Sequence, residues 1–213
     1  MTDRVLDLEI TGPEHTRAIA LALAPLLTAG DVLILTGELG AGKTTFTRSL
    51  GEGLGVREGV ISPTFVLSRV HPNLPDGPRP GGPDLVHVDA YRLASSEELD
   101  DLDLEYSLDR SVTVIEWGRD KAEHLSESIL DLEFTRVTGA DLAETDPYAL
   151  YAPGSWEEED EDDGAPEPRR LRLIGNGPRW ENAWDEMVEK LSGRGGRNIG
   201  AFGSTLKRQP RAS

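Results

Sequence analysis

A glycine-rich loop in the first quarter of the chain constrains the fold more than any other feature. Residues 37–44 match the pattern G-x-x-x-x-G-K-[ST] in full. Residues 31–36, just before it, form an apolar, β-rich run typical of a buried strand, and residues 45–54 have the apolar spacing of a helix. Strand, loop and helix in this order are the context in which this pattern binds phosphate. The sequence therefore predicts a phosphate-loop fold.

The residue types in this loop suit a nucleoside triphosphate. Its three glycines lack a Cβ, so the backbone can fold around a phosphate, and the helix that follows turns its positive end toward the same point. Lys43 is expected to reach the outer phosphates, the Thr44 hydroxyl to ligate Mg²⁺, and Thr45 to lie near the inner phosphate. The predicted nucleotide-binding residues of the loop are Glu38, Leu39, Gly40, Ala41, Gly42, Lys43, Thr44 and Thr45.

Composition narrows the class of protein. A length of 213 residues suits one domain, and a hydrophobic content of 37% is low enough to suggest that part of the chain does not fold. The absence of cysteine excludes disulfides and thiolate metal sites. The sequence has neither an apolar run long enough to span a membrane nor a signal peptide at its start. We therefore expect a soluble cytoplasmic protein that does not contact membranes.

Charge is spread unevenly along the chain. Residues 140–168 hold 11 acidic residues and no Lys or Arg, whereas residues 193–213 hold five basic residues and no acid. The net charge of −17 leaves −11 on the rest of the chain, which argues against independent binding of nucleic acid. We predict one domain over residues 1–192, with an acidic, unfolded insertion at 140–168 and a basic flexible tail from 193.

Patterning along the domain predicts an α/β protein. Strands are expected at 5–10, 31–36, 65–71, 85–91, 112–117, 129–137 and 171–174, and helices at 13–27, 44–54, 95–102 and 177–191. Residues 72–83, rich in Pro and Gly, are either a hairpin loop or a crossover loop. Strands and helices alternate early, and strands follow one another late. This order predicts a phosphate-loop-type three-layer sandwich around a mixed, mainly parallel sheet.

Two carboxylates are candidates for the metal and water chemistry that hydrolysis or transfer requires. Glu116 ends the apolar run 112–116 as a Walker B residue does, and Asp89 ends a similar run that begins at residue 85. Because the carboxyl ends of parallel strands meet at the ligand crevice, both carboxylates could face the glycine-rich loop. His87 shows no metal-ligand spacing and is interpreted as packing within its strand.

Weaker signals concern a switch segment and the choice of base. Ser62 and Thr64 lie about twenty residues after the loop, where many phosphate-loop enzymes sense the terminal phosphate, although Ser-Pro also simply starts turns. The sequence lacks Asn-Lys-x-Asp and any Asp-x-x-Gly switch typical of GTP-binding proteins. ATP is therefore favoured.

Four segments together resemble the bacterial TsaE family. They are Gly-Glu-Leu-Gly-Ala-Gly-Lys-Thr-Thr-Phe at 37–46, Ser-Pro-Thr-Phe at 62–65, His-Val-Asp-Ala-Tyr-Arg-Leu at 87–93 and Ile-Glu-Trp at 115–117, in the family's order and spacing. The resemblance implies a small ATPase, slow alone, that works with TsaD and TsaB in forming threonylcarbamoyladenosine (t⁶A) beside the tRNA anticodon. It implies that TsaD transfers the threonylcarbamoyl group, that ATP hydrolysis resets the complex, and that tRNA is met only through the partners.

The resemblance also implies roles for single residues. Lys43 is implied to bind phosphate, Thr44 and Glu116 to hold Mg²⁺, and Asp89 to orient water or the metal shell. These are the implied catalytic and metal residues.

Four further positions match the family's pattern. Trp117 is implied to lie near the nucleotide, although packing alone could explain it. Ser62 and Thr64 match the switch-like segment, and Thr16 matches a position near the adenine.

Two other functions remain open from the residues. A small-molecule kinase would share the loop and the metal site, but it needs a basic lid and an acceptor pocket. Basic residues are scarce where such a lid would lie, since Lys121 and Arg136 are the only Lys or Arg residues between positions 120 and 168 of the sequence. A non-catalytic scaffold gated by ATP is the second alternative, and the presence of Glu116 and Asp89 argues against it.

Overall fold

The computed structural model describes residues 4–63, 65–136 and 169–192. Thr64, the insertion predicted at 140–168 and the tail predicted from 193 lie outside the described residues. The strands are β1 (Arg4–Ile10), β2 (Val32–Gly37), β3 (Ser68–His71), β4 (Asp84–Asp89), β5 (Ser111–Glu116), β6 (Ile129–Arg136) and β7 (Arg169–Asn176). The helices are α1 (Pro13–Leu23), α2 (Lys43–Leu54), α3 (Ser96–Asp100), α4 (Glu105–Leu108) and α5 (Pro178–Ser192), with 3₁₀ turns at Ala24–Leu26 and Glu123–Leu125.

The strands form one mixed sheet in the order β1-β7-β6-β2-β5-β4-β3. The four central strands β6, β2, β5 and β4 run parallel, whereas β7 is antiparallel to both β1 and β6, and β3 is antiparallel to β4. Helices and connecting segments cover both faces of the parallel strands, which is why β5 is buried along its whole length. The predicted α/β sandwich with a mixed sheet is confirmed.

The two faces of the sheet bury separate apolar clusters. On one face, α1, α2 and α5 pack onto the strands through side chains that include Phe46, Leu50 and Trp180. On the other, Leu99 and Leu104 from the α3–α4 region pack against β2, β4 and β5. Alternate residues of one strand therefore enter different clusters. This alternation decides which side chains of β4 and β5 lie on the face of the sheet that carries α2 and the glycine-rich loop.

Several predicted boundaries shift for local reasons. The helix predicted over 13–27 leaves α-helical geometry after Leu23, because Pro25 cannot donate an interior helix hydrogen bond. The strand predicted from residue 65 begins only at Ser68, after Leu67 takes a left-handed backbone conformation (φ 62°). The 72–83 segment joins two antiparallel strands and is thus a hairpin connection. The four-residue α4, too short to show a periodic pattern, was not predicted.

Polar groups at the amino end of the parallel strands are bonded to one another. Arg179 donates to both carboxylate oxygens of buried Asp31, at 3.0 and 3.1 Å, and to the carbonyl of Leu26. Arg79, from the 72–83 connection, donates to the carbonyls of Ala24 and Leu27, each at 2.9 Å. These arginines tie the last helix and the hairpin connection to the segment that precedes β2. No helix among the described residues is both long and apolar enough to cross a bilayer.

Candidate functional site

The glycine-rich loop lies between the carboxyl end of β2 and the first turn of α2. Two of its glycines, Gly40 and Gly42, have positive φ angles of 78° and 110°, which side chains with a Cβ rarely adopt. Gly37 has a φ of 145°, and a Cβ there would lie 2.4 Å from the Phe134 carbonyl oxygen of β6. The glycines therefore allow the loop to curl tightly against the sheet. Successive backbone N–H groups in such a curl, next to a helix N-terminus, form a concavity suited to an anion.

Lys43, the first residue of α2, folds back across the loop. Its Nζ donates to the carbonyls of Gly37, at 2.7 Å, and Glu38, at 2.9 Å, and lies 3.8 Å from the ring centroid of Trp117. Burial lowers the pKa of Lys43, and the nearby carboxylates of Glu116 and Asp89 oppose that shift. The ammonium group is thus held at the mouth of the loop by neutral carbonyls and a ring face. These partners can be exchanged for a phosphate.

The two predicted carboxylates lie side by side. Asp89 ends β4 and Glu116 ends β5, and they are directly paired in the parallel register of the two strands. Both are almost completely buried, with exposures of 5% and 3%. The Thr44 hydroxyl donates to Glu116, with its Oγ1 3.0 Å from Oε1 and 3.1 Å from Oε2. The strand ends and the start of α2 therefore bring a hydroxyl and two carboxylates together.

Asp89 is oriented from two directions. The Ser62 hydroxyl donates to its Oδ2 at 2.9 Å, and the backbone N–H of Tyr91 donates to its Oδ1 at 3.1 Å. The structure thus brings Ser62, half of the predicted switch-like pair, to the site. Thr64, the other half, lies outside the described residues.

Trp117 follows Glu116 in a left-handed backbone conformation, with φ of 62°. Such a backbone is uncommon for a bulky residue and turns the chain sharply after β5. The indole contacts Lys43 on its face and meets the ring of Tyr91 edge-on, at 5.2 Å between centroids. Trp117 therefore forms one wall of the site.

These side chains enclose a pocket of about 310 Å³. Its lining consists of Leu39, Gly40, Ala41, Gly42, Lys43, Thr44, Thr45, Ser62, Asp89, Glu116, Trp117 and Arg169. Two predicted nucleotide-binding residues are not among them. Glu38 stands at the loop with its side chain exposed and its carbonyl bonded to Lys43, and Thr16 is buried in α1.

Sequence reasoning missed two residues of the site. Arg169 begins β7, and one of its guanidinium nitrogens lies 3.5 Å from the position a Cβ would take on Gly42. His87, interpreted as packing within its strand, is indeed fully buried in β4, but its Nε2 also lies 2.8 Å from Glu116 Oε1. The pairing of β7 with β6 would have pointed to Arg169, and the two-residue spacing of His87 and Asp89 would have placed them on one face of β4.

The donor set suits magnesium better than a softer metal. Thr44 and Glu116 supply oxygen ligands, which Mg²⁺ prefers, and Mg²⁺ commonly takes only one or two ligands from a protein and the rest from phosphates and water. Within the parts of the chain that the structure describes, no cluster of three or more His, Cys, Asp or Glu residues could hold a metal alone. The site therefore fits a metal that arrives with a phosphate ligand.

Comparison with known proteins identifies the family. A family model described as "Threonylcarbamoyl adenosine biosynthesis protein TsaE" matches residues 10–142. The chain belongs to the TsaE family. The chain is 48% identical over 168 residues to the tRNA threonylcarbamoyladenosine biosynthesis protein TsaE of Streptomyces coelicolor, an alignment covering 78% of this chain and 95% of the relative. The resemblance stated from the four sequence segments is confirmed.

Other members of the TsaE family agree with this assignment. The TsaE protein of Bacillus subtilis is 42% identical over 126 residues, which cover 59% of this chain and 74% of the relative. The crystal structure of YdiB from the same organism matches with a TM-score of 0.59 and 27% identity, covering 90% of this chain and 97% of the other. The sheet and helices described above are therefore a fold known in solved structures.

Proposed function

We propose that this chain is a Mg²⁺-dependent ATPase that supports t⁶A formation in tRNA. The observation that carries the proposal is the convergence of Lys43, Thr44 and two buried carboxylates, Asp89 and Glu116, on one pocket beside a glycine-rich loop. Membership of the TsaE family supports the link to t⁶A, since the relatives bear that pathway in their names.

Binding of ATP would use the loop backbone and two cations. The N–H groups of the loop and of the first turn of α2 would surround the phosphates. Lys43 would exchange the carbonyls of Gly37 and Glu38 for phosphate oxygens, a change of partner that needs only side-chain rotation. Arg169 also lines the pocket and would add a second positive charge. We favour ATP because the sequence lacks the motifs with which GTP-binding proteins read guanine.

Thr44 and Glu116 would hold Mg²⁺. When bound, the ion would neutralise negative charge on the phosphates. Asp89 would orient the attacking water or the metal's water shell. Its two oxygens are held by Ser62 and by the Tyr91 N–H, so the carboxylate is fixed before any ligand arrives. Trp117 would close the side of the pocket.

The same proposal covers the partners and the place of action. As the family resemblance implies, we propose that TsaD and TsaB bind this chain in the cytoplasm and that tRNA is met through that complex. Hydrolysis by the isolated chain is expected to be slow. Partners would therefore be needed for rapid turnover.

Reconstitution tests this function directly. ATP hydrolysis and t⁶A formation are measured with the chain alone and with TsaD and TsaB, for the unaltered protein, Glu116→Gln and Asp89→Asn. We expect partners to stimulate hydrolysis, and both variants to bind ATP but to lose about 100-fold or more in turnover. Glu186→Gln, an exposed carboxylate in α5, is the matched control and should hydrolyse normally.

Two results would contradict the proposal. Normal hydrolysis by both Glu116→Gln and Asp89→Asn in the presence of TsaD and TsaB would place the catalytic carboxylates elsewhere. Rapid phosphate transfer to a small-molecule acceptor without any partner would instead favour the kinase alternative.

A further inference from the structure

The buried ring of His87 is unusual among its neighbours on β4. Residues Leu85, Val86 and Val88 of the same strand are apolar and buried, and His87 itself is completely enclosed. Its Nδ1 is buried and has no hydrogen-bond partner within the part of the chain that the structure describes. A buried polar atom without a partner lowers stability, whereas an apolar side chain would fill this place without that cost. Packing alone therefore does not explain a histidine here.

The hydrogen bond that this ring does make is with a residue of the site. Nε2 lies 2.8 Å from Oε1 of Glu116, and both residues are shielded from solvent. A carboxylate only accepts hydrogen bonds, so Nε2 carries a proton and donates to Oε1 of Glu116. His87 is thus the donor of this bond and Glu116 its acceptor.

This bond selects one arrangement of the Glu116 carboxylate. The Thr44 hydroxyl lies almost equally far from both oxygens, at 3.0 and 3.1 Å, whereas His87 bonds to Oε1 alone. The His87 bond therefore distinguishes the two oxygens, and Oε2 keeps the larger unused acceptor capacity. A ring that holds a carboxylate in this way resembles the outer-shell partners of metal sites, which orient a ligand without touching the metal.

We infer that His87 is a positioning residue for metal binding: its Nε2–H holds the Glu116 carboxylate in the orientation that receives Mg²⁺ with ATP. The inference rests on the proposed function. It adds a residue that lies beneath the site, does not line the pocket, and acts only through Glu116.

Metal binding, measured apart from turnover, tests this role. Mn²⁺ is titrated into the full chain with the ATP analogue AMP-PNP, and bound metal is followed by electron paramagnetic resonance. His87→Leu removes the donor and should weaken Mn²⁺ affinity about 10- to 100-fold, the usual effect of losing an outer-shell partner. AMP-PNP binding in EDTA should stay within about twofold of the unaltered chain, because the loop and Lys43 are untouched.

Two further variants separate positioning from packing. His87→Gln can place an amide N–H where Nε2 lies and should restore most of the metal affinity. His87→Asn, whose shorter amide lies near the Nδ1 position, should be as weak as His87→Leu. His71→Leu is the matched control, because His71 is also a buried histidine, on the neighbouring strand, but has no carboxylate partner among the described residues. It should leave Mn²⁺ affinity unchanged, whatever its effect on stability.

The outcomes separate the role of His87 from the proposed function. Normal Mn²⁺ affinity in folded His87→Leu, or in His87→Asn if the leucine variant does not fold, would overturn the inference and leave the proposed function standing. Equal weakening by His87→Gln and His87→Leu would also overturn it, because a donor at that position would then not matter. Failure of the unaltered chain to bind Mn²⁺ with AMP-PNP would overturn the proposed function itself.

Discussion

The two ends of the parallel strands use charged side chains in opposite ways. At the amino end, Arg179 and Asp31 form a closed set of hydrogen bonds, and Arg79 is held by two backbone carbonyls. At the carboxyl end, Lys43 is held by two carbonyls of its own loop and a ring face, in contact with an open pocket. Charges at the first end hold segments together, whereas those at the second can change partners.

Cavity size does not single out the end that carries the glycine-rich loop. A larger space, of about 490 Å³, opens at the amino end and is lined by residues that include Arg79, Arg110 and Thr28. The smaller pocket at the carboxyl end holds the buried carboxylates and the glycine-rich loop. Ligands of open α/β sheets bind outside the carboxyl ends of the strands. The comparison therefore predicts that mutations at the two ends separate binding from stability.

The largest effect is expected from Lys43→Ala. Loss of its charged hydrogen bonds to phosphate should weaken ATP binding by about 100-fold or more, measured by titration calorimetry, with little change in the unfolding midpoint. Lys190→Ala, an exposed lysine of α5, is the control and should bind normally. Unchanged ATP affinity in Lys43→Ala would contradict the assignment of a phosphate-binding loop. The two ends would then not differ in ligand binding.

Arg179→Ala should produce the reverse pattern. Buried Asp31 would lose its ion-pair partner and keep hydrogen bonds from Thr28, so the free energy of unfolding should fall by about 3 kcal/mol, measured by urea denaturation. ATP affinity should stay within about twofold, since neither residue lines the pocket beside the glycine-rich loop. Arg4→Ala, which removes a surface ion pair with Glu181 at 3.6 Å, should cost less than about 1 kcal/mol. A weakened ATP affinity with normal stability would show that the amino end takes part in binding.

A smaller effect is expected from Arg169→Ala at the carboxyl end. One charged hydrogen bond to phosphate would be lost, so ATP affinity should fall about tenfold, measured as for Lys43. Arg170→Ala is a close control, because adjacent residues of a strand point to opposite faces. Equal effects of the two substitutions would mean that Arg169 contributes only general positive charge.

Asp131 lies on β6, at neither end of the parallel strands, and its substitution is expected to have the smallest effect. Burial raises its pKa to about 6, opposed by Arg119, and nearby Glu123 and Glu133 raise it further. The folded state therefore binds this proton more tightly than the unfolded state, so stability from this group is present at low pH and is lost as pH rises from about 4 to about 6.

Asp131→Asn removes this titration. At pH 7.5 the variant should be more stable than the unaltered chain by about 1 kcal/mol, allowing for partial exposure of the carboxyl group. Near pH 4 the difference should vanish. Urea denaturation at both pH values measures it, and an equal difference at the two would show that Asp131 does not titrate as described.

Most residues of the carboxyl end could be predicted from the sequence, because the patterns that mark them lie in short segments of the chain. The loop pattern between a strand and a helix placed Lys43 and Thr44, and apolar runs ending in Asp89 and Glu116 placed the carboxylates at adjoining strand ends. The sheet type followed from the order of the patterns. Each of these inferences needed only neighbours in the chain and the rule that parallel strands end at one edge.

What could not be predicted depends on partners far apart in sequence. Arg169 reaches the loop because β7 pairs with β6, and no local pattern states that order. His87 bonds to Glu116 because the register of β4 and β5 brings the two side chains together on the same face of the sheet. The left-handed backbones of Leu67 and Trp117 are set by surrounding packing, since neither residue favours that conformation.

The antiparallel pairing of β6 with β7 has a consequence for engineering. Arg136 and Arg169 are directly opposite in the ladder, although 32 sequence positions lie between them. A segment inserted between these two residues must leave and re-enter the sheet at the same point. Its length can therefore change at little entropic cost to the domain. That point also adjoins the glycine-rich loop, since an Arg136 nitrogen lies 3.8 Å from where a Cβ would stand on Gly40. A fluorescent reporter grafted between these two arginines would thus lie beside the glycine-rich loop without interrupting a strand.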